Sequence, residues 1–277
     1  MSAIELTDAA LAYGHRTLWH DLNVAVEPGE FVAVLGPNGS GKTSLLRVLL
    51  GEKDLASGTA AIDGAPVGVG NPRVGYVPQQ RPLDPQTPLR GRDLLGLAWD
   101  GHRWGIGLRG RRRRRAEVDA AIARIDAGSF ADAPVGTLSG GELQRLRVAG
   151  ALIGDPSVLL CDEPLLSLDP ANQERVIELI DRRRRSDGTA VLFVTHEINP
   201  ILPVVDRVLY LANGQFRIGP PREVITSEVL SELYHTDVEV LDVRGRLIVV
   251  GTGDNIDVLG SSGHHHHHEP STEESTR

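Results

Sequence analysis

The run Phe31-Val32-Ala33-Val34-Leu35-Gly36-Pro37-Asn38-Gly39-Ser40-Gly41-Lys42-Thr43 sets an apolar strand, a glycine-rich loop and a helix start in immediate succession. Five consecutive apolar residues, 31–35, are typical of a strand covered on both faces. The next eight fit the pattern G-x-x-x-x-G-K-S/T, which binds phosphate for physical reasons. Its glycines let the backbone curl until several N–H groups point at phosphate oxygens. The helix that begins there adds the positive end of its dipole. Lys42 supplies a full charge near the β and γ phosphates, and the Thr43 hydroxyl can ligate magnesium. A loop this short recurs by chance, but here it follows a buried strand and opens a helix, as the mechanism requires.

Outward from the loop, strand patterns alternate with helical ones. Strands are expected over 4–12, at Leu22, Val24 and Val26, and over 58–62, 74–77, 158–161, 190–195 and 207–211. Helices are expected over 42–50, 90–99, 116–127, 141–153 and 170–185, with another between 195 and 207. This alternation implies an α/β fold with a mostly parallel sheet and right-handed crossovers. From Gln79 the texture changes: Pro82, Pro85 and Pro88 interrupt regular structure, and a helical subdomain reads as inserted at about 80–154. Arg111 to Arg115 ends a Gly/Arg-rich connection and reads as a solvated loop or as attraction to anionic headgroups or a partner's loops. A terminal hairpin is expected over 241–250, turning at Arg244-Gly245. Beyond Gly251 the chain is rich in Gly, Ser, Glu and His and reads as a disordered tail.

Composition narrows the function. The 277 residues are 40% hydrophobic and 24% charged, enough to build a core. The net charge of −8 does not suggest general nucleic-acid binding. Of 29 basic side chains only Lys42 and Lys53 are lysines. Cys161, the sole cysteine, cannot form an internal disulfide, which suggests a reducing compartment. Met1 to Ala10 lacks the apolar core of a signal peptide, and no apolar run is long enough to span a bilayer.

A second strand, Val158-Leu159-Leu160-Cys161, ends in Asp162-Glu163. Carboxylates at the carboxyl end of a parallel strand face the ligand crevice. Asp162 can hold magnesium and Glu163 can orient and deprotonate an attacking water. Alone, the pair could equally be an acidic turn before Pro164. Leu138-Ser139-Gly140-Gly141-Glu142-Leu143-Gln144-Arg145 makes a second helix start suited to an anion. Read locally it is also an ordinary N-cap. One subunit cannot readily bring both helix starts to one triphosphate, whereas two copies arranged head to tail can.

Over residues 4–225 the chain resembles the ATPase subunits of ABC transporters. Gly36 to Thr43 matches the family's Walker A motif, Val158 to Glu163 its Walker B and Leu138 to Glu142 its signature. The resemblance implies a P-loop NTPase (RecA-like) core with an antiparallel β subdomain and an inserted helical subdomain. It puts the ATPase domain at 1–232, a hairpin extension at 233–253 and the tail at 254–277. It implies ATP and Mg2+ as ligands. Tyr13 stands where the family stacks an aromatic ring on adenine, and Gly36, Pro37, Asn38, Gly39, Ser40, Gly41, Lys42 and Thr43 hold the phosphates. Gln79 corresponds to the Q-loop residue that touches magnesium and senses the membrane partner, with Gln80 as a competing neighbour. Ser139, Gly140 and Gly141 would reach the nucleotide held by a second copy, as would Asp169 of the D-loop Ser167-Leu168-Asp169. His196 matches the switch histidine, and Glu163, His196 and Gln79 form the expected catalytic set. Magnesium would be met by Thr43, Gln79 and Asp162.

The same resemblance implies a homodimer at the cytoplasmic face of the membrane, an integral permease, and an extracytoplasmic substrate-binding protein in the same system. Gly75 to Gln79, Leu233-Tyr234-His235-Thr236 and Val243-Arg244-Gly245-Arg246-Leu247 look like zinc and manganese importers, with haem or siderophore import as the alternative cargo class. A non-transport ABC ATPase is the other alternative. His264 to His268 is either a native metal-binding run or a purification tag.

Overall fold

The computed structural model describes residues 1–14, 16–79, 84, 86–100 and 110–251. Gln80, Pro82, Pro85, most of the connection before Arg111, and the tail with His264 to His268 lie outside the described residues. In chain order the elements are β1 (Ile4–Tyr13), β2 (Arg16–Val26), β3 (Phe31–Leu35), α1 (Lys42–Leu49), β4 (Ser57–Ile62), β5 (Ala65–Pro66) and β6 (Val74–Val77). Three helices follow: α2 (Gly91–Asp100), α3 (Arg111–Arg124) and α4 (Gly140–Leu152). The chain continues through β7 (Val158–Asp162), α5 (Pro170–Asp187), β8 (Ala190–Val194), β9 (Arg207–Ala212) and β10 (Gln215–Gly219). It then forms α6 (Pro221–Val224), α7 (Ser227–Tyr234), β11 (Val238–Val243) and β12 (Arg246–Gly251).

The central six-stranded sheet has the order β10-β9-β3-β8-β7-β6. β9, β3, β8, β7 and β6 run parallel, and β10 closes one edge antiparallel to β9. β3, β7 and β8 are buried at every position, as expected of strands covered on both faces. Phe31, Ala33 and Leu35 pack on one side with Val176, Ile177 and Ile180 of α5. Val32 and Val34 pack on the other with α1 and the antiparallel sheet β2-β1-β4-β5. The register decides where the chemistry goes. Val34 lies opposite Val194, and Val194 opposite Asp162, so the loop after β3, the acids ending β7 and the residues after β8 emerge side by side.

The helices α2, α3 and α4 enclose a core of their own, in which Leu95, Val118, Ile122 and Leu146 are buried. Here the structure corrects the loop expected at Arg111 to Arg115: these residues begin α3. Arginine is a good helix former. Crowding positive charge at a helix N-terminus is unfavourable, and it is offset by Asp100 (3.1 Å from Arg114) and Asp119 (3.7 Å from Arg115).

The helix expected between 195 and 207 is also corrected. The segment consists of turns, such as Ile201 N–H to Ile198 C=O at 3.1 Å. Pro200 and Pro203 lack the N–H groups that a helix there would need. The terminal hairpin forms from β11 and β12 around Arg244-Gly245, beginning three residues earlier than its apolar pattern suggested.

Candidate functional site

The loop after β3 keeps its shape only with glycine. At Gly36 (φ 139°) an added Cβ would lie 2.0 Å from the Leu211 carbonyl oxygen. At Gly41 (φ 99°) it would lie 2.8 Å from the Trp19 indole nitrogen. Both conformations are in the left-handed region that side chains disfavour. Lys42, only 6% exposed, donates from Nζ to Gly36 O at 2.6 Å and Pro37 O at 3.0 Å. Its ammonium is thereby held across the loop it must serve.

The neighbouring strand ends supply the acids. Thr43 Oγ1 donates to Asp162 Oδ1 at 3.2 Å. Burial pushes the Asp162 carboxyl pKa up, an effect opposed by the Thr43 hydrogen bond. Glu163 leaves the strand with φ 47°, unusual for a side chain with a Cβ, while its N–H donates to Val194 O at 3.0 Å. Gln79 Nε2 donates to Glu163 Oε2 at 3.0 Å, and His196 Nδ1 lies 3.7 Å from Glu163 Oε1. His196 is the main influence holding the Glu163 carboxyl below the usual carboxylate range, with Lys42 and Gln79 adding to it. Reciprocally, Glu163 holds the His196 imidazole above its ordinary pKa.

Tyr13, Gly39, Lys42, Thr43, Gln79 and Glu163 line one cleft of about 430 Å3. Its donor set suits a triphosphate: a glycine cradle no Cβ could enter, a buried ammonium at its centre, and a half-exposed aromatic ring at its edge. A second, more open cavity of about 500 Å3 beside Pro28, Glu30, Arg184 and Arg207 contains none of the motif residues. Its walls are ion pairs, Arg207 with Glu30 and Arg184 with Asp206.

Ser139, Gly140, Gly141 and Asp169 do not line the cleft. Ser139 caps α4 in a reciprocal box: Glu142 N–H donates to Ser139 Oγ at 3.3 Å, and Ser139 N and Oγ donate to Glu142 Oε2 at 2.9 and 2.8 Å. Asp169 caps α5, accepting from Asn172 N at 3.0 Å. The two helix starts are neighbours, since a Cβ on Gly141 would lie 2.3 Å from the Asn172 side chain. Together they form a second surface of helix starts, whose residues are absent from the lining of the cleft.

A family model described as ABC transporter matches residues 19–166. The chain belongs to the ABC transporter family. It is 35% identical over 224 residues to the zinc import ATP-binding protein ZnuC of Cereibacter sphaeroides, covering 81% of this chain and 85% of that one. It is 32% identical to the zinc transport system ATP-binding protein TroB of Treponema pallidum, covering 84% and 86%. Among solved structures, a dimeric ATP-binding cassette in a post-hydrolysis state, bound to ADP and Pi, matches with a TM-score of 0.66. It is 27% identical and covers 78% of this chain and 98% of that one. The chain is thus an ATP-binding, ATP-hydrolysing ABC subunit with a P-loop NTPase fold.

In this ABC ATPase the cleft includes residues that motif reading did not single out. Arg16 Nη2 donates to Gly39 O at 3.4 Å, and the Ser44 and Tyr13 hydroxyls are 3.3 Å apart. Arg16 is the first residue of β2, paired with Tyr13 across the tight turn from β1, and belongs to no motif. Ser44 directly follows the phosphate motif, and that adjacency was the available signal. No helix among the described residues is long and apolar enough to cross a membrane.

Proposed function

We propose that two copies of this ABC ATPase clasp two ATP molecules and drive a zinc or manganese importer through a separate permease at the cytoplasmic face of the membrane. The observation that carries the reading is the cleft where Lys42, Thr43–Asp162 and Gln79–Glu163–His196 converge from adjacent strand ends. The loop amides and Lys42 bind the β and γ phosphates, and Tyr13 receives the adenine. Glu163, ionised and oriented by Gln79, takes a proton from the attacking water, and His196 steadies the γ-phosphate. Thr43, Asp162 and Gln79 are the residues that would hold Mg2+, which, when bound, offsets the triphosphate charge.

Ser139, Gly140, Gly141 and Asp169 have no part in their own cleft, and a second copy placed head to tail would bring them to its nucleotide. Closure through bound ATP and release on hydrolysis then supply the stroke. The helical layer from about 80–154 would carry it to the permease, with 1–232 as the motor and 233–253 as its extension. A substrate-binding protein outside the membrane would complete the system.

The cargo rests on the ZnuC and TroB relatives, whose printed names specify zinc. The test is uptake of zinc, manganese and iron by a strain lacking this gene, complemented with the parent or with Glu163→Gln. Zinc or manganese uptake restored by the parent alone is the expected result. Restoration of only chelated iron uptake would replace the cargo assignment.

A further inference from the structure

The chain has two lysines: Lys42 lines the nucleotide cleft, and Lys53 stands over the ring of Tyr13, which also lines it. Lys42 belongs to the phosphate loop. Lys53 lies in the turn after α1, and its Nζ is 3.7 Å from the centroid of the Tyr13 ring. Tyr13 lines the cleft and Lys53 is not among its lining residues, while the ammonium covers one face of the ring. The hydroxyl end of the ring is tied separately, 3.3 Å from Ser44 Oγ.

The turn bearing Lys53 is itself anchored. Glu52 N–H donates to Arg47 O at 2.9 Å and Gly51 N–H to Val48 O at 2.9 Å. Gly51 (φ 70°) approaches the next hairpin so closely that a Cβ would lie 2.5 Å from the Gly68 carbonyl carbon. The ammonium is thus presented from a fixed backbone.

A ring 46% exposed at the end of a strand has few packing contacts to hold its plane. A cation on one π face supplies that hold, because the ring quadrupole attracts it most strongly over the centre. It also draws electron density toward itself, which favours an electron-rich purine stacking on the opposite face. We propose that Lys53 is a positioning residue for nucleotide recognition, backing the Tyr13 ring so that its free face receives the base. It thereby sets how strongly the protein prefers an adenine nucleotide to a bare triphosphate. The proposal rests on the reading of the cleft as the ATP site with Tyr13 as its base platform.

The experiment measures binding of AMP-PNP and of inorganic triphosphate to the full chain and to Lys53→Ala, Lys53→Arg and Tyr13→Ala, at one ionic strength. Lys53→Ala should weaken AMP-PNP binding about two- to fivefold and leave triphosphate binding unchanged. Lys53→Arg should restore the parent value, since a guanidinium also covers an aromatic face. In ATP hydrolysis the Lys53→Ala change should fall on KM rather than kcat. Equal weakening of both probes, no weakening of AMP-PNP, or failure of arginine to rescue would each overturn the proposal. Tyr13→Ala separates the two layers of the argument. If it too leaves the preference for AMP-PNP intact, the base-platform reading fails. If it abolishes the preference while Lys53→Ala does not, only the role of Lys53 fails.

Discussion

Gln79 Nε2 donates to Glu163 Oε2 at 3.0 Å, tying the segment that leaves β6 to the carboxylate just after β7. The bond fixes one carboxylate oxygen, and His196 stands 3.7 Å from the other. A glutamine at 163 keeps the shape and can still accept from Gln79, but it cannot take a proton. Glu163→Gln is therefore expected to bind ATP with near-parental affinity while single-turnover hydrolysis falls by about a hundredfold or more, the usual worth of a general base. Equilibrium binding and quenched-flow hydrolysis on the same preparation check both halves. Undiminished hydrolysis would remove Glu163 from the proton transfer.

His196 faces Glu163, with Glu197 adding negative charge and Lys42 opposing it. Its pKa is raised and that of Glu163 is lowered, each chiefly by the other. A raised histidine contributes stability that is complete below its unfolded pKa and is lost as pH rises through its folded pKa. A depressed glutamate contributes stability that is complete above its unfolded pKa and is lost as pH falls through its folded pKa. The pair therefore stabilises most between about pH 4.5 and 6.5, set by the ordinary values of the two groups. Urea unfolding of metal-free parent and His196→Gln should show a stability gap in that window that narrows toward alkaline pH. A gap that widens above neutrality would mean that the pair carries no such coupling.

Ser139 Oγ is committed within its own chain, accepting from Glu142 N–H and donating to Glu142 Oε2. To donate to a phosphate on a second copy it must release Glu142, whose carboxyl the Ser139 backbone N–H and hydroxyl hold below its usual range. Ser139→Ala removes the cap and should cost about 1 kcal/mol of stability in denaturant melts. It should leave nucleotide binding by isolated monomers unchanged, because Ser139 lies outside the cleft, and lower turnover measured where dimers form. Ser139→Thr keeps the cap and so separates stability from turnover. If the alanine variant turned over ATP at the parental rate, the two-copy site would be untenable.

Much of the site was legible because its chemistry is contiguous. The glycines and Lys42 follow β3 directly, and Asp162 ends, with Glu163 just after it, a strand whose five residues are all buried. That these ends converge follows from sheet register, which the apolar pattern specifies only in part. The contact of Lys53 with Tyr13 was not legible, because it depends on how the turn after α1 packs against the strands. β10 was missed although Asn213-Gly214, with φ of 49° and 81°, is a strong hairpin signal between two apolar runs. Ile198, Ile201 and Leu202, within the segment after Thr195 expected to be a helix, have a spacing that imitates an amphipathic turn. The buried ends of those side chains are real, but Pro200 and Pro203 deny the backbone its ladder.

Asn199, three residues beyond His196, holds the terminal hairpin through both ends of its amide. Nδ2 donates to Leu247 O at 2.9 Å and Leu247 N–H donates to Oδ1 at 2.8 Å. The hairpin is also fixed to α7, where Ser231 Oγ accepts from Val238 N at 3.0 Å and Ser227 Oγ from Val240 N at 2.9 Å. Buried Leu247 and Val249 pack in the same core as Ile198 and Ile201. Asn199→Ala leaves a donor and an acceptor on Leu247 unmatched in a partly buried place, at a cost of about 1–3 kcal/mol. The loss should appear first as faster amide exchange at 246–251, with the α7 contacts still protected. Because the same backbone leads directly to His196, kcat should fall while KM for ATP holds. Asn199→Asp keeps the acceptor for Leu247 N–H but loses the donor, and should fall between parent and alanine. Unchanged exchange across β12 in Asn199→Ala would show that the apolar contacts alone seat the hairpin.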